Sequence, residues 1–473
     1  MLARDGHQVT VLEKNEQAGG RASIYSEDGY TFDMGPSWYL MPDVYERFFS
    51  EFDKRPEDLF ELKRLDPSYR MFFSNDSVID IAADPEKNFE LFDELEPNGG
   101  EKLRGYLDQS REKYDTAVKE LIYRDYRSVL DFFDRKLLRG GMDLNILENL
   151  DEFVNKTFES DRARKIVEYS IGFLGGSPRI TPAFYSIMTH IDFDLGVWYP
   201  IGGMRKVVEE MVNLAERSGA EFEYGRPVRK IAVEGKRATG LETDSGSVDG
   251  DIFLVNADYA HSELDLLDKQ HRTYNEKYWH NRVVAPSGFV AYLGVDTVVE
   301  SLVHHNLFIK EDWINGFDEL FDPSRMRWPS TPSYYVNVPS RTDPTAAPPG
   351  CDTLFVLVPV AAGLEDTPGI REDFLNGILD DLENVIGENV REHIQVQRTF
   401  AINDFAERYN AFRGTALGLV HTLRQTAMWR PVHQSKKVKN LFYTGQYCHP
   451  GIGVPMTLIS SQIVASEISD YKM

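Results

Sequence analysis

Residues able to do chemistry gather near the two ends of this 473-residue chain. Near the start, "VTVLEKNEQAGGRA" leads from an apolar, β-branched run, Val9 to Leu12, into Glu13 and then Gly19, Gly20 and Arg21. In a dinucleotide-binding βαβ unit an acid at the end of the second strand accepts hydrogen bonds from a ribose hydroxyl. Glycines let the backbone pass close to a ligand, and Arg21 offers a planar cationic fork suited to a diphosphate. A Gly-Gly turn with a surface arginine explains the tripeptide equally well on its own. Its place a few residues after Glu13 is what favours phosphates. Further on, "FDMGPSW" sets Met34, Gly35 and Pro36 in a turn able to place backbone against a flat ring.

The C-terminal stretch "LFYTGQYCHPGIGVP" is the stronger signal. A strand enters a loop containing Gly445, Gly451 and Gly453, and a helix is expected to start at Val454–Pro455, where proline suits the first turn. Such a helix start presents free N–H groups and positive dipole to an electron-rich group, of which a flavin's pyrimidine carbonyls are one example.

The elements that must hold these residues follow from the pattern. "SYRMFFSNDSVIDI" reads as a hairpin with "SNDS" at its turn. From Asp84 to about Tyr199 apolar residues recur at three- and four-residue steps, broken at Pro97–Gly100, which predicts helices. α/β patterning then returns: a helix over about 203–218, strands at Glu221–Tyr224 and Val228–Val233, and a buried strand at Ile252–Asn256. Tyr334, Val336 and Val338 alternate in one later strand and Leu354–Val360 forms another, joined by "RTDPTAAPPG" as an exposed loop; "REDFLNGILDDLENVIG" is a helix.

Composition narrows the classes. The length predicts more than one domain. The net charge of −24 argues against nucleic acid and anionic lipid, so any membrane contact must be apolar. The 28 Phe, 23 Tyr and 6 Trp suit either an ordinary core or a long apolar cavity. Cys351 and Cys448 form no CxxC pair and no H-E-x-x-H is present, so no metal site is expected, and a reducing compartment fits. No run of about 18 apolar residues predicts a spanning helix.

The N-terminal "VTVLEKNEQAGGRA…DGYTFDMGPS" and the C-terminal "YTGQYCHPGIGVPMTLISSQIVA", with "FLGGSPRITPAFYSIM", "YPIGGM" and "GAEFEYGRPVRKI" between them, resemble the phytoene desaturase (carotenoid desaturase) family of FAD-dependent, amine-oxidase-like flavoproteins. The resemblance implies an α/β fold with a Rossmann-like FAD-binding domain and a discontinuous substrate domain of mixed β-sheet and helices. It assigns FAD-binding segments to 1–83, 200–275 and 401–473. A helical substrate or membrane-facing domain falls at 84–199 and a substrate-domain sheet at 276–400. It implies Glu13 on the adenosine ribose and Gly19, Gly20 and Arg21 along the diphosphate and flavin. Gly35 and Pro36 would lie near the isoalloxazine, the Val228 backbone at the adenine, and Gly445, Gly453 and Val454 at the flavin end. The family's glycine turn lies upstream of "VTVLEK"; "MLARDGHQ" resembles the tail of the helix after it, so a shortened start and weak FAD binding are expected.

The implied reaction is desaturation of a membrane-dissolved isoprenoid, phytoene or a related carotenoid, by hydride transfer to flavin and proton loss. The implied setting is cytoplasmic and peripheral on the membrane, with quinone or oxygen as electron acceptor. Phe173, Phe184, Tyr185, Met188 and Trp198 are suited to line the substrate path, although each is equally suited to a helical core. No catalytic base is assigned; His190, Asp192, Asp194 and His449 are conceivable, each also readable as a buried group with a structural partner. Later-pathway 3,4-desaturation and carotenoid isomerisation or saturation stay open. So do a flavin amine oxidase with Tyr443 and Tyr447 as an aromatic pair, and a non-catalytic isoprenoid escort.

Overall fold

The computed structural model describes residues 1–74, 77–118, 122–124, 148–422 and 424–471, without the side chains of residues 173 and 314. Two of the four expected hairpin-turn residues, Asn75 and Asp76, lie outside them.

The nucleotide-type layer contains two parallel strand pairs. Val9–Leu12 pairs with Ala220–Glu223, and Phe253–Val255 with Leu441–Tyr443. Residues 2–6 form hydrogen-bonded turns, with the Asp5 N–H donating to the Met1 carbonyl at 3.0 Å. The helix expected over about 203–218 runs Met204–Arg217. Its first turn is capped from a distant strand: Asp33 accepts the N–H groups of Met204 and Arg205 at 2.9 and 3.1 Å. Helix Val454–Asp470 begins where Gly453 and Pro455 predict.

A seven-stranded sheet forms the second layer, in the order Ile394–Phe400, Ser287–Val295, Asp352–Val360, Tyr334–Asn337, His305–Ile309, Tyr69–Phe73, Val78–Ile81. Because strand side chains alternate, Phe289, Ala291 and Leu293 face one side and Val290 and Tyr292 the other. The first side packs on Leu375, Ile378, Leu379 and Leu382 of helix Pro368–Ile386. With both faces covered, "SGFVAYLGV" is buried throughout and shows no polar alternation.

Two of three local expectations change. The Tyr69–Ile81 hairpin forms, but Tyr69–Phe73 pairs in parallel with His305–Ile309, so these residues before position 83 belong to the sheet. Tyr334, Val336 and Val338 share one face as expected and Tyr335 takes the other, but both faces are buried, so the strand has no polar side. The loop "RTDPTAAPPG" is partly interior: Asp343 is 1% exposed and accepts the Gly202 N–H at 2.7 Å, and Ala346 and Ala347 are buried.

The helical stretch forms as Pro85–Leu95 and Gly99–Thr116, with further helices at Leu150–Thr157 and Asp161–Glu168. Glu168 is buried, its Oε1 has no hydrogen-bond partner, and burial pushes its carboxyl up to about 8. A carboxyl raised in the fold stabilises fully only below its unfolded pKa, and that contribution is lost as pH rises through the folded value. Urea midpoints should therefore fall between pH 7 and 8.5. Glu168→Gln should remove most of that fall and be the more stable protein at pH 8.5, by on the order of 1–3 kcal/mol.

Candidate functional site

One cavity of about 2730 Å³ runs between the two layers. Glu13, Gly19, Gly20, Arg21, Gly35, Pro36, Val228, Gly445, Gly453 and Val454, drawn from three distant parts of the chain, all line it. Glu13 sits at the end of its strand; the backbone N–H of Asn15 occupies Oε1 at 2.7 Å and fixes the carboxylate. Val228 opens a strand whose register pairs it with Thr243.

Close backbone approach explains the glycines. A Cβ on Gly35 would stand 2.2 Å from the Arg21 carbonyl oxygen. Gly19, at φ 103°, would bring one to 2.8 Å from the Ala22 carbonyl oxygen. Gly453 caps the last helix at φ 113°, leaving that helix start facing the cavity.

The residues present suit a flavin dinucleotide. The Arg21 Nε is buried with no acceptor, and the guanidinium lies over the Tyr409 ring, 5.2 Å from its centroid. A half-buried cation with an open donor on the cavity wall fits a diphosphate. Gln446 Nε2, beside Gly445, is also buried without a partner and lines the cavity.

The buried guanidinium of Arg430 holds the glycine loop. It donates to the carbonyls of Leu419, Gln425, Gln446, Tyr447 and Cys448, the shortest at 2.6 Å. Asp258, on the cavity wall, accepts the Tyr447 hydroxyl at 2.6 Å and the backbone N–H groups of His261 and Phe412 at 3.0 and 3.3 Å. His421 contacts the Tyr185 hydroxyl at 2.7 Å, and its ring would meet a Cβ on Gly451 at 2.3 Å. Burial drives the His421 imidazole well below its ordinary range, so it stays neutral. None of Asp258, His421 and Arg430 stands out in sequence. The one local signal is position: Asp258 stands two residues past the end of the expected strand Ile252–Asn256.

Of the residues suited to line a substrate path, Phe184, Tyr185 and Met188 reach the cavity. Trp198 does not: it sits in a short strand, donates Nε1–H to the Leu195 carbonyl at 2.9 Å and lies beside Arg64. The Phe173 side chain is outside those described. Among the conceivable bases only His449 touches the cavity; His190 and Asp194 pair at 2.6 Å. Burial pulls His449 down to about 3, and its Nε2 lies 3.0 Å from the Ile122 carbonyl. Tyr443 stacks on Tyr259 at 3.9 Å, off the cavity wall, so Tyr443 and Tyr447 do not form an aromatic pair across it.

Residues 1–469 match the family of flavin containing amine oxidoreductases. A carotenoid 3,4-desaturase from Haloarcula japonica is 45% identical, over 99% of this chain and 94% of that protein. A zeta-carotene-forming phytoene desaturase from Myxococcus xanthus is 32% identical, over 99% and 91%. Putrescine oxidase bound to putrescine shares the fold with TM-score 0.60 at 16% identity, covering 99% of this chain and 96% of that one. The chain belongs to the flavin-containing amine oxidoreductase family, and within it to the carotenoid desaturases.

Proposed function

We propose that this protein uses FAD to desaturate a long acyclic carotenoid, with 3,4-desaturation as its reaction. The observation that carries the reading is the continuity of a single cavity. It passes from the Glu13, Arg21 and Gly453 region to an apolar wall made by Val290, Leu307, Ile309, Phe355 and Leu357 of the sheet. The 45% identity to a carotenoid 3,4-desaturase, against 32% to a phytoene desaturase, supports the later step.

In this reading Glu13 holds the ribose, Arg21 the diphosphate, and the helix start at Gly453 the electron-rich end of the isoalloxazine. Bound FAD supplies the hydride acceptor. The sheet face aligns the polyene beside Gly35 and Pro36 and keeps water out while charge develops on carbon. The segments assigned to FAD binding are 1–83 without the 69–81 hairpin, 200–275 and 401–473.

The substrate enters from a bilayer. Among the described residues no helix is long and apolar enough to cross a membrane. Trp429 lines the cavity and is 52% exposed, and Phe184 also lines it. An apolar rim of this kind suits peripheral docking on a chain with net charge −24. Electrons then leave to a quinone or to oxygen.

The test gives FAD-loaded protein an acyclic carotenoid in liposomes, with phytoene and a primary amine in parallel. Conversion of the carotenoid to a product two hydrogens lighter and red-shifted is expected. Recovery of unchanged carotenoid with consumption of phytoene would move the reaction earlier, and consumption of the amine alone would refute the reading.

A further inference from the structure

Removing two hydrogens as a hydride and a proton needs somewhere for the proton to go, and both imidazoles at the glycine loop on the cavity wall, His421 and His449, are held by burial well below their ordinary range and are poor bases. A different cluster sits beside Gly35 and Pro36. Tyr169 lines the cavity, and its hydroxyl donates to Asp192 Oδ2. Asp192 lies one layer behind the wall, 4% exposed, and accepts a second hydroxyl from Tyr69 at 3.2 Å. The two tyrosine rings are 4.9 Å apart, and both lean on Trp38 of the flavin-side turn, at 5.6 and 6.5 Å.

Among the described residues no cation pairs with Asp192. The nearby Arg111 and His190 are both committed to Asp194, at 3.0 and 2.6 Å. Tyr69 faces Asp192 from the sheet, Tyr169 from the turn after helix Asp161–Glu168, and His190 and Asp194 flank it on its own segment. Burial pushes the Asp192 carboxyl up to about 7, where it can both take and release a proton near neutrality.

We propose that Tyr169 is a catalytic residue that accepts the substrate proton, and that Asp192 is its positioning residue and proton reservoir. The inference rests on the carotenoid-desaturase reading above. Hydride leaves one carbon with its electron pair to the flavin, and that same carbon is left electron-poor. The neighbouring C–H bond then breaks. Its electron pair forms the new C=C bond, and its proton goes to the Tyr169 oxygen as the Tyr169 proton passes to the Asp192 carboxylate. After product leaves, the Asp192 acid returns the proton through Tyr169 to entering water. Tyr69 holds the carboxylate in place through the second hydrogen bond.

Tyr169→Phe and Asp192→Asn test this in FAD-loaded protein, each first shown to keep the bound-flavin spectrum. Anaerobic single turnovers with the carotenoid should bleach the flavin within about threefold of the wild-type rate. Formation of the new double bond should fall at least about tenfold. In its place, products of water addition or of a shifted double bond should appear, because the electron-poor chain loses its proton acceptor. Asp192→Glu should restore part of the normal product. A product distribution identical to wild type in both substitutions would overturn the proposal. If Asp192→Asn fails to hold flavin, Tyr169→Phe alone decides. Wild-type protein that leaves every carotenoid unchanged would instead sink the desaturase reading beneath it.

Discussion

Arg430→Met is expected to empty the flavin site and to destabilise the fold by on the order of 3–5 kcal/mol, even though Arg430 is not itself proposed to touch cofactor or substrate. The reason is the number of groups that depend on one side chain. Carbonyls at Leu419, Gln425, Gln446, Tyr447 and Cys448 all point at the buried guanidinium. They belong to two loops that pack against each other: the one carrying His421 and the one carrying Gly445, Gly451 and Gly453. Burial lowers the guanidinium to about 10, and it remains charged at neutral pH because the five carbonyls take the place of water. Methionine fills a similar volume and leaves those carbonyls without donors. Each unsatisfied buried carbonyl costs about 1–3 kcal/mol unless the loop moves to reach water. Movement is the cheaper response, and it displaces Gly453 and the helix start aimed at the flavin. Denaturant midpoints and the flavin content of protein purified in excess FAD measure the two effects. A variant that lost stability but bound FAD with unchanged affinity would show that the loop is held by something else.

What could be read from sequence follows the range of the interactions involved. The strand ending at Glu13, the helix starting at Val454 and the glycines between depend on neighbours a few residues away, and each formed within a residue or two of its expected position. The strand Asp352–Val360 begins two residues before its expected start at Leu354, and the helix Pro368–Ile386 begins three residues before its expected start at Arg371. The meeting of the two ends in one cavity was legible only through resemblance, since no local rule joins Arg21 to Gly445. Pairs that matter most on the cavity wall and just behind it left no trace. Tyr185 and His421 are 236 residues apart and Tyr69 and Asp192 are 123 apart, and nothing in either neighbourhood marks the partner. The hairpin at Tyr69–Ile81 was legible as a hairpin, but its sheet partner, His305–Ile309, is a long-range choice. The same limit explains Trp198. Aromatic residues within a helical stretch suit core and cavity alike, and only packing against Tyr39 and Arg64 decided its place.

Gly35→Ala should weaken FAD binding by at least about a hundredfold, because it strikes backbone against backbone. The added methyl would lie 2.2 Å from the Arg21 carbonyl oxygen and 3.3 Å from its carbonyl carbon. Neither strand of the contact is free to yield. The Met34 N–H donates to the Ser23 carbonyl at 2.8 Å and ties the two passes of the chain together. The Arg21 turn is itself tight, with the Ala22 N–H on the Gly19 carbonyl at 2.8 Å. A shift large enough to relieve the clash must therefore carry the whole Gly19–Ala22 turn, and with it the guanidinium that fits the diphosphate, or else move Pro36 into the cavity. Overpacking of this kind costs about 1–3 kcal/mol in stability, a modest part of a domain's total. The larger effect is local, since charge-assisted contacts to a phosphate depend steeply on placement. FAD titrations followed by flavin fluorescence separate the two. Gly105→Ala provides the control: its added methyl meets nothing within 4 Å, on helix Gly99–Thr116, so it should bind FAD as wild type does and gain about 0.5–1 kcal/mol in stability. Equal FAD affinity in Gly35→Ala and Gly105→Ala would mean that the contact between the Arg21 and Gly35 passes does not shape the cofactor site.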